Sequence, residues 1–257
     1  MSLAIKIIFP KFYIWQKKTR ERIPCKVEFW DKRYYNVNYK IKQLFKVWVN
    51  NKSEITEAKI VYKNYKGGDV MDVGACAGFY SFLLSPKAKN NDNFVSCEPD
   101  KIIHSDLLEN LAILKKLFQN INLHLISMPI SNVKKNIFIS HNDYGHPCFR
   151  KINQNDKNLK NKKKLISTTI DLLVKSMSLN PTLIKIDTEG AEYEVLQGMA
   201  RTIKIFKPDI MLEKHPTMIP KNVSINLINN YLIKNNYKVQ ILSKSKITIR
   251  EYWKFKN

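Results

Sequence analysis

Asp69-Val70-Met71-Asp72-Val73-Gly74-Ala75-Cys76-Ala77-Gly78-Phe79-Tyr80, DVMDVGACAGFY, is the stretch on which the fold turns. Its first five residues are a short apolar run of the kind buried on both faces, and a helical pattern begins at about Ala77 and runs to Leu84. Between the two, Gly74 lets the chain turn and Gly78 permits close approach of helix and ligand. A dinucleotide-binding turn wants GxGxxG, with its second glycine where backbone meets pyrophosphate. Cys76 stands there instead, so the loop disfavours NAD and leaves a cofactor without a diphosphate.

Working outward, the strand-then-helix pattern recurs. NFVSCEP (93–99) reads as a second strand, IIHSDLLENLAILKKLF (102–118) as a helix and INLHLISM (121–128) as a third strand. TLIKID (182–187), AEYEVLQGMARTI, DIMLEKH (209–215) and VSINLINNYLIKN continue as strand, helix, strand, helix, and YKVQIL with ITIREYW closes as a hairpin. Strands alternating with helices imply an α/β fold with a mostly parallel sheet, helices on both faces and an antiparallel edge. In such sheets ligands bind beyond the carboxyl ends of the strands, where strand order reverses.

The rhythm changes over residues 134–169, where KNIFISH and KLISTTI alternate like strands around the polar DYGHPCFRKINQNDKNLKNKKK. This segment reads as an insertion over the site. The expected organisation is an N-terminal arm or helical extension at 1–65 and a catalytic domain at 66–257.

No apolar run approaches the ~18 residues that span a bilayer, and MSLAIKIIFPKFYIWQKKTRER lacks the features of a signal peptide. Its aromatic residues and basic cluster are compatible with peripheral contact to an anionic membrane. Cys25, Cys76, Cys97 and Cys148 are widely spaced, which suggests neither a zinc site nor a disulfide framework and points to a cytoplasmic setting. The net charge of +22 invites a nucleic-acid partner, but lysine is spread along the whole chain, so composition accounts for the charge more simply than a shaped binding face.

Glu98, ending the second strand, suits hydrogen bonds from two ribose hydroxyls. In IKIDTEGAE (184–192), alternation puts Leu183, Lys185 and Asp187 on one face, and a buried lysine needs a partner, either Asp187 or Glu213. Glu189 and Glu192 open the next helix, where acids also complement the helix dipole. Asp187, Glu189, Glu213 and His215 should converge on one crevice with Asp72 and Glu98. Their spacing along the chain is no recognised metal-ligand pattern, so no metal is assigned, although two carboxylates and a histidine suffice for a weak divalent-ion site that would lower the acceptor's pKa.

Through DVGACAGFYSF, CEPD, STTIDLL (167–173), LIKIDTEGAEYEVLQG and PDIMLEKHP, the sequence resembles the FkbM family of S-adenosylmethionine-dependent methyltransferases over about residues 69–216. The family's loop reads DVGAN, and Cys76 replaces its asparagine. The resemblance implies a class I (Rossmann-like) methyltransferase fold with a seven-stranded sheet and methyl transfer to a hydroxyl of a sugar, glycan, lipid or secondary metabolite. It implies S-adenosyl-L-methionine held by Asp72, Gly74, Ala75, Gly78, Phe79, Tyr80, Glu98 and Pro99, with Phe79 or Tyr80 facing the sulfonium. The catalytic set is Asp187, Glu189, Glu213, His215 and Lys185, the base being left open among the first four. The rival readings are an RNA methyltransferase, disfavoured because IDTEG stands where an adenine methylase carries Asn/Asp-Pro-Pro-aromatic, and a non-catalytic cofactor-binding protein.

Overall fold

The computed structural model describes residues 24–28, 34–38, 52–140 and 162–256. The chain divides into two compact units, Met1–Ile55 and Thr56–Asn257. In the first, strands β1 (Pro24–Glu28) and β2 (Tyr34–Asn38) pair antiparallel. The basic N-terminal segment proposed for membrane contact, and most of the polar part of the 134–169 insertion, lie outside the described residues. No helix among the described residues is long and apolar enough to cross a membrane.

Helix α1 (Lys52–Asn64) leads into β3 (Asp69–Val73), followed by α2 (Phe79–Leu84), β4 (Asn93–Cys97), α3 (Lys101–Leu117) and β5 (Asn122–Ile126). An antiparallel ribbon of β6 (Asn136–Ser140) and β7 (Lys162–Ile166) follows. Next come α4 (Ile170–Ser176), β8 (Pro181–Ile186), α5 (Glu192–Gln197), α6 (Ala200–Phe206), β9 (Asp209–Lys214), α7 (Ile225–Lys234), β10 (Tyr237–Lys244) and β11 (Ile249–Phe255).

One seven-stranded sheet runs in the order β10-β11-β9-β8-β3-β4-β5. β9, β8, β3, β4 and β5 are mutually parallel, whereas β11 runs antiparallel to β9 and to β10. The closing hairpin is therefore the antiparallel edge the sequence suggests, with the reversed strand tucked between β9 and its own hairpin partner. All five residues of β3 are buried, as a strand covered on both faces requires. Met71, Val73, Ile184, Ile186, Ile210, Leu212 and Trp253 are among the shared core residues.

Two sequence expectations differ from the structure. AEYEVLQGMARTI is not one helix but two, α5 and α6, broken at Gly198-Met199. A Cβ on Gly198 would lie 2.1 Å from the Ser131 carbonyl oxygen, so only glycine fits where the chain passes that backbone. The Asp171 carboxylate then caps α6, accepting from the backbone amides of Arg201 and Thr202 at 3.0 and 2.7 Å. KLISTTI likewise stops being a strand at Ile166, because Thr169 caps α4, its hydroxyl accepting from the Leu172 amide at 3.1 Å.

Strand order reverses between β3 and β8: the chain builds outward through β4 and β5 on one side, then returns through β8 and β9 on the other. The carboxyl ends of these two central strands carry the loop after Val73 and the IDTEG segment after Ile186.

Candidate active site

The loop after β3 is shaped by backbone. The amides of Gly74 and Ala75 both donate to the Cys97 carbonyl at 3.0 and 3.1 Å, and buried Asn110 of α3 donates to the Ala77 carbonyl at 2.7 Å. Gly74 (φ 80°), Cys76 (φ 46°) and Gly78 (φ 83°) are left-handed. That conformation is one asparagine tolerates better than other side chains, which rationalises the asparagine of the resembling loop and marks Cys76 as strained. Cys76 is also disulfide-bonded, so the reading that the wide cysteine spacing suggests no disulfide fails at this position. Gly74 cannot be replaced without movement, since its Cβ would sit 1.8 Å from the Asp187 carbonyl oxygen. The loop is thus pressed directly against the IDTEG segment, and the Asp187 amide also donates to the Val73 carbonyl at 3.0 Å.

Glu98 is buried, with Oε2 accepting from the Cys76 amide (3.1 Å) and Oε1 from the Asp100 amide (2.9 Å), bonds that fix its plane beside the loop. Ala75, Phe79 and Tyr80 are buried beside it and Pro99 is half-buried. The Tyr80 hydroxyl donates to Glu57 of α1 at 2.5 Å, and its ring faces the Lys185 ammonium, 5.7 Å from the centroid.

Lys185 answers the question of a charge in mid-strand. It is 5% exposed, and its ammonium donates to the Gly74 carbonyl (2.8 Å) and to Asp187 Oδ2 (3.2 Å), with Asp72 Oδ1 at 3.5 Å. Asp72 and Lys185 are direct register partners on the parallel strands β3 and β8. The sequence offered Asp187 or Glu213 as partner. Asp187 is one, but the second is Asp72, because Glu213 is held by Arg250 of β11, its register partner, through two contacts of 2.9 Å. Burial pulls the Lys185 pKa down, but Asp187, Asp72 and Glu213 outweigh it and the net shift is upward. Burial raises that of Asp72 despite the opposing pull of Lys185, and both Asp72 oxygens lack a hydrogen-bond partner.

His215, just past β9, draws the remaining acids together. Its Nδ1 lies 2.9 Å from Glu192 Oε1, and since a carboxylate only accepts, Nδ1 carries the proton. Around Nε2 lie Glu189 Oε2 at 3.4 Å, Asp187 Oδ1 at 3.7 Å and Glu213 Oε1 at 3.7 Å. Glu192 is wholly buried and also accepts from the Gly190 amide at 2.9 Å, so it orients the imidazole rather than merely complementing a helix dipole. Glu189 is left-handed (φ 54°), a strained state for a side-chain-bearing residue. Burial raises its pKa to about 8, with Asp187, Glu213 and Glu192 adding to the rise and His215 opposing it. Glu213 rises to about 7, through burial and the Asp187 charge against Arg250 and His215. Burial lowers the His215 pKa, yet the hydrogen bond to Glu192 and the charges of Asp187 and Glu189 carry it up to about 9.

All the residues named from sequence therefore lie on two adjoining features, the carboxyl ends of β3 and β4 with the segments that follow them, and the carboxyl ends of β8 and β9. Sequence reasoning missed Arg250, Glu57, Asn110 and the orienting role of Glu192. An arginine alternating within an apolar strand, in a chain whose basic residues are mostly lysine, is the signal that could have found Arg250.

The residues fit S-adenosylmethionine. Asp72 presents a buried carboxylate with the Lys185 ammonium 3.5 Å from Oδ1 and no hydrogen-bond partner on either oxygen, and Gly74 and Gly78 let the loop's backbone lie directly against the Asp187 carbonyl and Leu107.

A family model described as the methyltransferase FkbM domain matches residues 72–239. Among solved structures, methyltransferase FkbM from Methylobacillus flagellatus KT aligns with a TM-score of 0.53 at 15% identity, covering 84% of this chain and 54% of that one, so the chain spans about half its length. A precorrin-6y C5,15-methyltransferase from Geobacter metallireducens GS-15 aligns at 12% identity and TM-score 0.46 over 80% of this chain and 90% of that one. TYW2 from M. jannaschii, solved in complex with AdoMet, aligns at 12% and 0.43 over 90% and 84%. At such identities the likeness is one of fold. No curated protein matches the sequence.

Proposed function

The chain belongs to the FkbM family of methyltransferases, whose methyl donor is S-adenosylmethionine, and from that premise we propose that it methylates a hydroxyl oxygen of a sugar, glycan, lipid or secondary metabolite. The observation that carries the reading is the contact between the glycine loop and the acid cluster: Gly74 has no room for a side chain because the Asp187 backbone occupies it. A cofactor on the loop and an acceptor on the cluster would then be neighbours, and methyl transfer requires donor and acceptor in line.

S-adenosylmethionine supplies a methyl group on a cationic sulfur. Asp72, Gly74, Ala75, Gly78, Phe79, Tyr80, Glu98 and Pro99 would hold it, with Glu98 as the acceptor for its ribose hydroxyls. Lys185 fixes Asp187 and closes the β3–β8 junction by binding the Gly74 carbonyl. Glu192 fixes His215. Glu189 takes the acceptor's proton: its Oε2 has no hydrogen-bond partner, and its strained backbone is what an enforced position looks like.

The test is to measure binding and turnover separately in Asp187→Asn and Glu189→Gln. Calorimetry should find cofactor affinity within a few-fold of the parent, while transfer of labelled methyl to hydroxyl acceptors falls by roughly 10²- to 10⁴-fold, the range for lost acid–base or electrostatic assistance. Near-normal turnover with a large drop in melting temperature would make the cluster a structural ion-pair network instead.

A further inference from the structure

The contacts around His215 Nε2 are the wrong length for what they would otherwise be. Hydrogen bonds from a ring nitrogen to oxygen run to about 3.2 Å. Nε2 instead stands 3.4 to 3.7 Å from oxygens of Glu189, Asp187 and Glu213 and makes no hydrogen bond among the described residues, although the His215 side chain is only 5% exposed. Asp187 Oδ1 and Glu189 Oε2 are likewise buried without a hydrogen-bond partner. Donor atoms sharing one ion at about 2.1 Å lie about 3.0 Å apart at a right angle and about 3.4 Å apart at a tetrahedral one. One ligand atom from each of Asp187, Glu213 and His215 lies within 4.8 Å of the others.

We propose that the ends of β8 and β9 form a divalent-cation site with Asp187, Glu213 and His215 as its ligands. The surrounding bonds are those such a site needs. Metal-bound imidazoles characteristically donate their second nitrogen to a carboxylate, and His215 does so to Glu192. Coordinating carboxylates are usually held from outside, and here Lys185 holds Asp187 while Arg250 holds Glu213. One imidazole with carboxylates is a mixed nitrogen and oxygen donor set, which first-row divalent ions accept more readily than Mg²⁺ with its oxygen shell, and Mn²⁺ is the first-row ion that best tolerates the carboxylates. The four carboxylates of Asp187, Glu189, Glu192 and Glu213 converge on a single ring, outnumbering the Lys185 and Arg250 cations that hold two of them, a surplus of negative charge that an ion would relieve. A chain with net charge +22 does not gather cations on its surface, so a saturable cation site in it is a specific one.

The consequence for chemistry rests on the methyl-transfer reading. A hydroxyl oxygen bound to the ion loses its proton more readily. The O–H bond breaks toward Glu189, the new C–O bond forms as the donor's C–S bond breaks, and sulfur leaves as a neutral thioether.

The experiment is equilibrium dialysis of the full chain against Mn²⁺ without cofactor, free ion being counted by electron paramagnetic resonance. One ion per chain is expected, with affinity weakened at least 10-fold in both Asp187→Asn and His215→Gln and by roughly 10- to 100-fold in Glu192→Gln. Circular dichroism confirms that each variant is folded, and at one Mn²⁺ concentration the rise in melting temperature should be larger for the parent than for any variant. Absence of saturable binding, or binding that folded Asp187→Asn and His215→Gln retain unchanged, overturns the site. If the ion binds as expected but no hydroxyl acceptor is ever methylated, the methyl-transfer reading falls and the cation site stands. If methyl transfer proceeds in chelator and no ion binds, the outcome is the reverse.

Discussion

Replacing Lys185 by methionine keeps the length and much of the volume of the side chain and removes only its charge and donors. Asp72 would be left with a side chain 3% exposed and no cation at its side, and the Gly74 carbonyl would lose a donor at 2.8 Å. Breaking a buried ion pair from one end costs about 3–5 kcal/mol, because the surviving charge stays buried without compensation. For a domain of this size that corresponds to a fall in melting temperature of roughly 6 to 20 °C, at 2–4 °C per kcal/mol. Urea denaturation of Lys185→Met should show the midpoint falling at constant slope. The companion variant Asp72→Asn/Lys185→Met removes both charges and should be more stable than Lys185→Met alone, and with Asp72→Asn it completes a double-mutant cycle whose coupling should be on the order of 1–3 kcal/mol, the range of contacting residues. If Lys185→Met lies within about 1 kcal/mol of the parent and the pair of substitutions is additive, Lys185 is not the electrostatic tie between β3 and β8, and its role in fixing Asp187 goes with it.

Gly74→Ala should destabilise by about 2–5 kcal/mol, summing the left-handed strain and the overpacking against the Asp187 backbone, and should abolish cofactor binding in calorimetry; an unperturbed variant would break the link between loop and cluster. Glu98→Ala should weaken S-adenosylmethionine at least ~10-fold, from roughly 1.5–3 kcal/mol per charge-assisted bond. The same titration with NAD should show no tight binding. In filter-binding at physiological salt, RNA and DNA should bind weakly and lose affinity steeply as salt rises; nanomolar, sequence-selective binding would instead make nucleic acid the acceptor class.

The parallel strands were legible because burial on both faces leaves them as short apolar runs closed by glycine or by an acid, and DVMDV, NFVSC and TLIKI all have that form. What could not be read is whatever depends on register between strands far apart in the chain. Nothing local in DVMDV or IKID says that Asp72 faces Lys185, or in MLEKH and TIRE that Glu213 faces Arg250; those pairings exist only once the sheet is assembled. The three proposed cation ligands escape sequence patterns for a related reason, since Asp187 ends one strand and Glu213 and His215 end its neighbour. The need for glycine at 198 depends on a backbone passing nearby, at Ser131, which periodicity does not see.

The hairpin at the end of the sheet bears on how the chain is made. β11 follows β10 in the sequence but lies inside it, against β9. As the polypeptide leaves the ribosome, the outer strand emerges with no edge to join, and β9 keeps an unpaired row of amides and carbonyls until residues 249–255 arrive. Trp253 is wholly buried in the finished sheet, so the same residues bring a large part of that layer's core. Arg250 comes with them. The newborn protein therefore cannot hold Glu213 in place before its sheet is closed, and quality control that senses the open edge of β9 would be sensing an unfinished acid cluster as well.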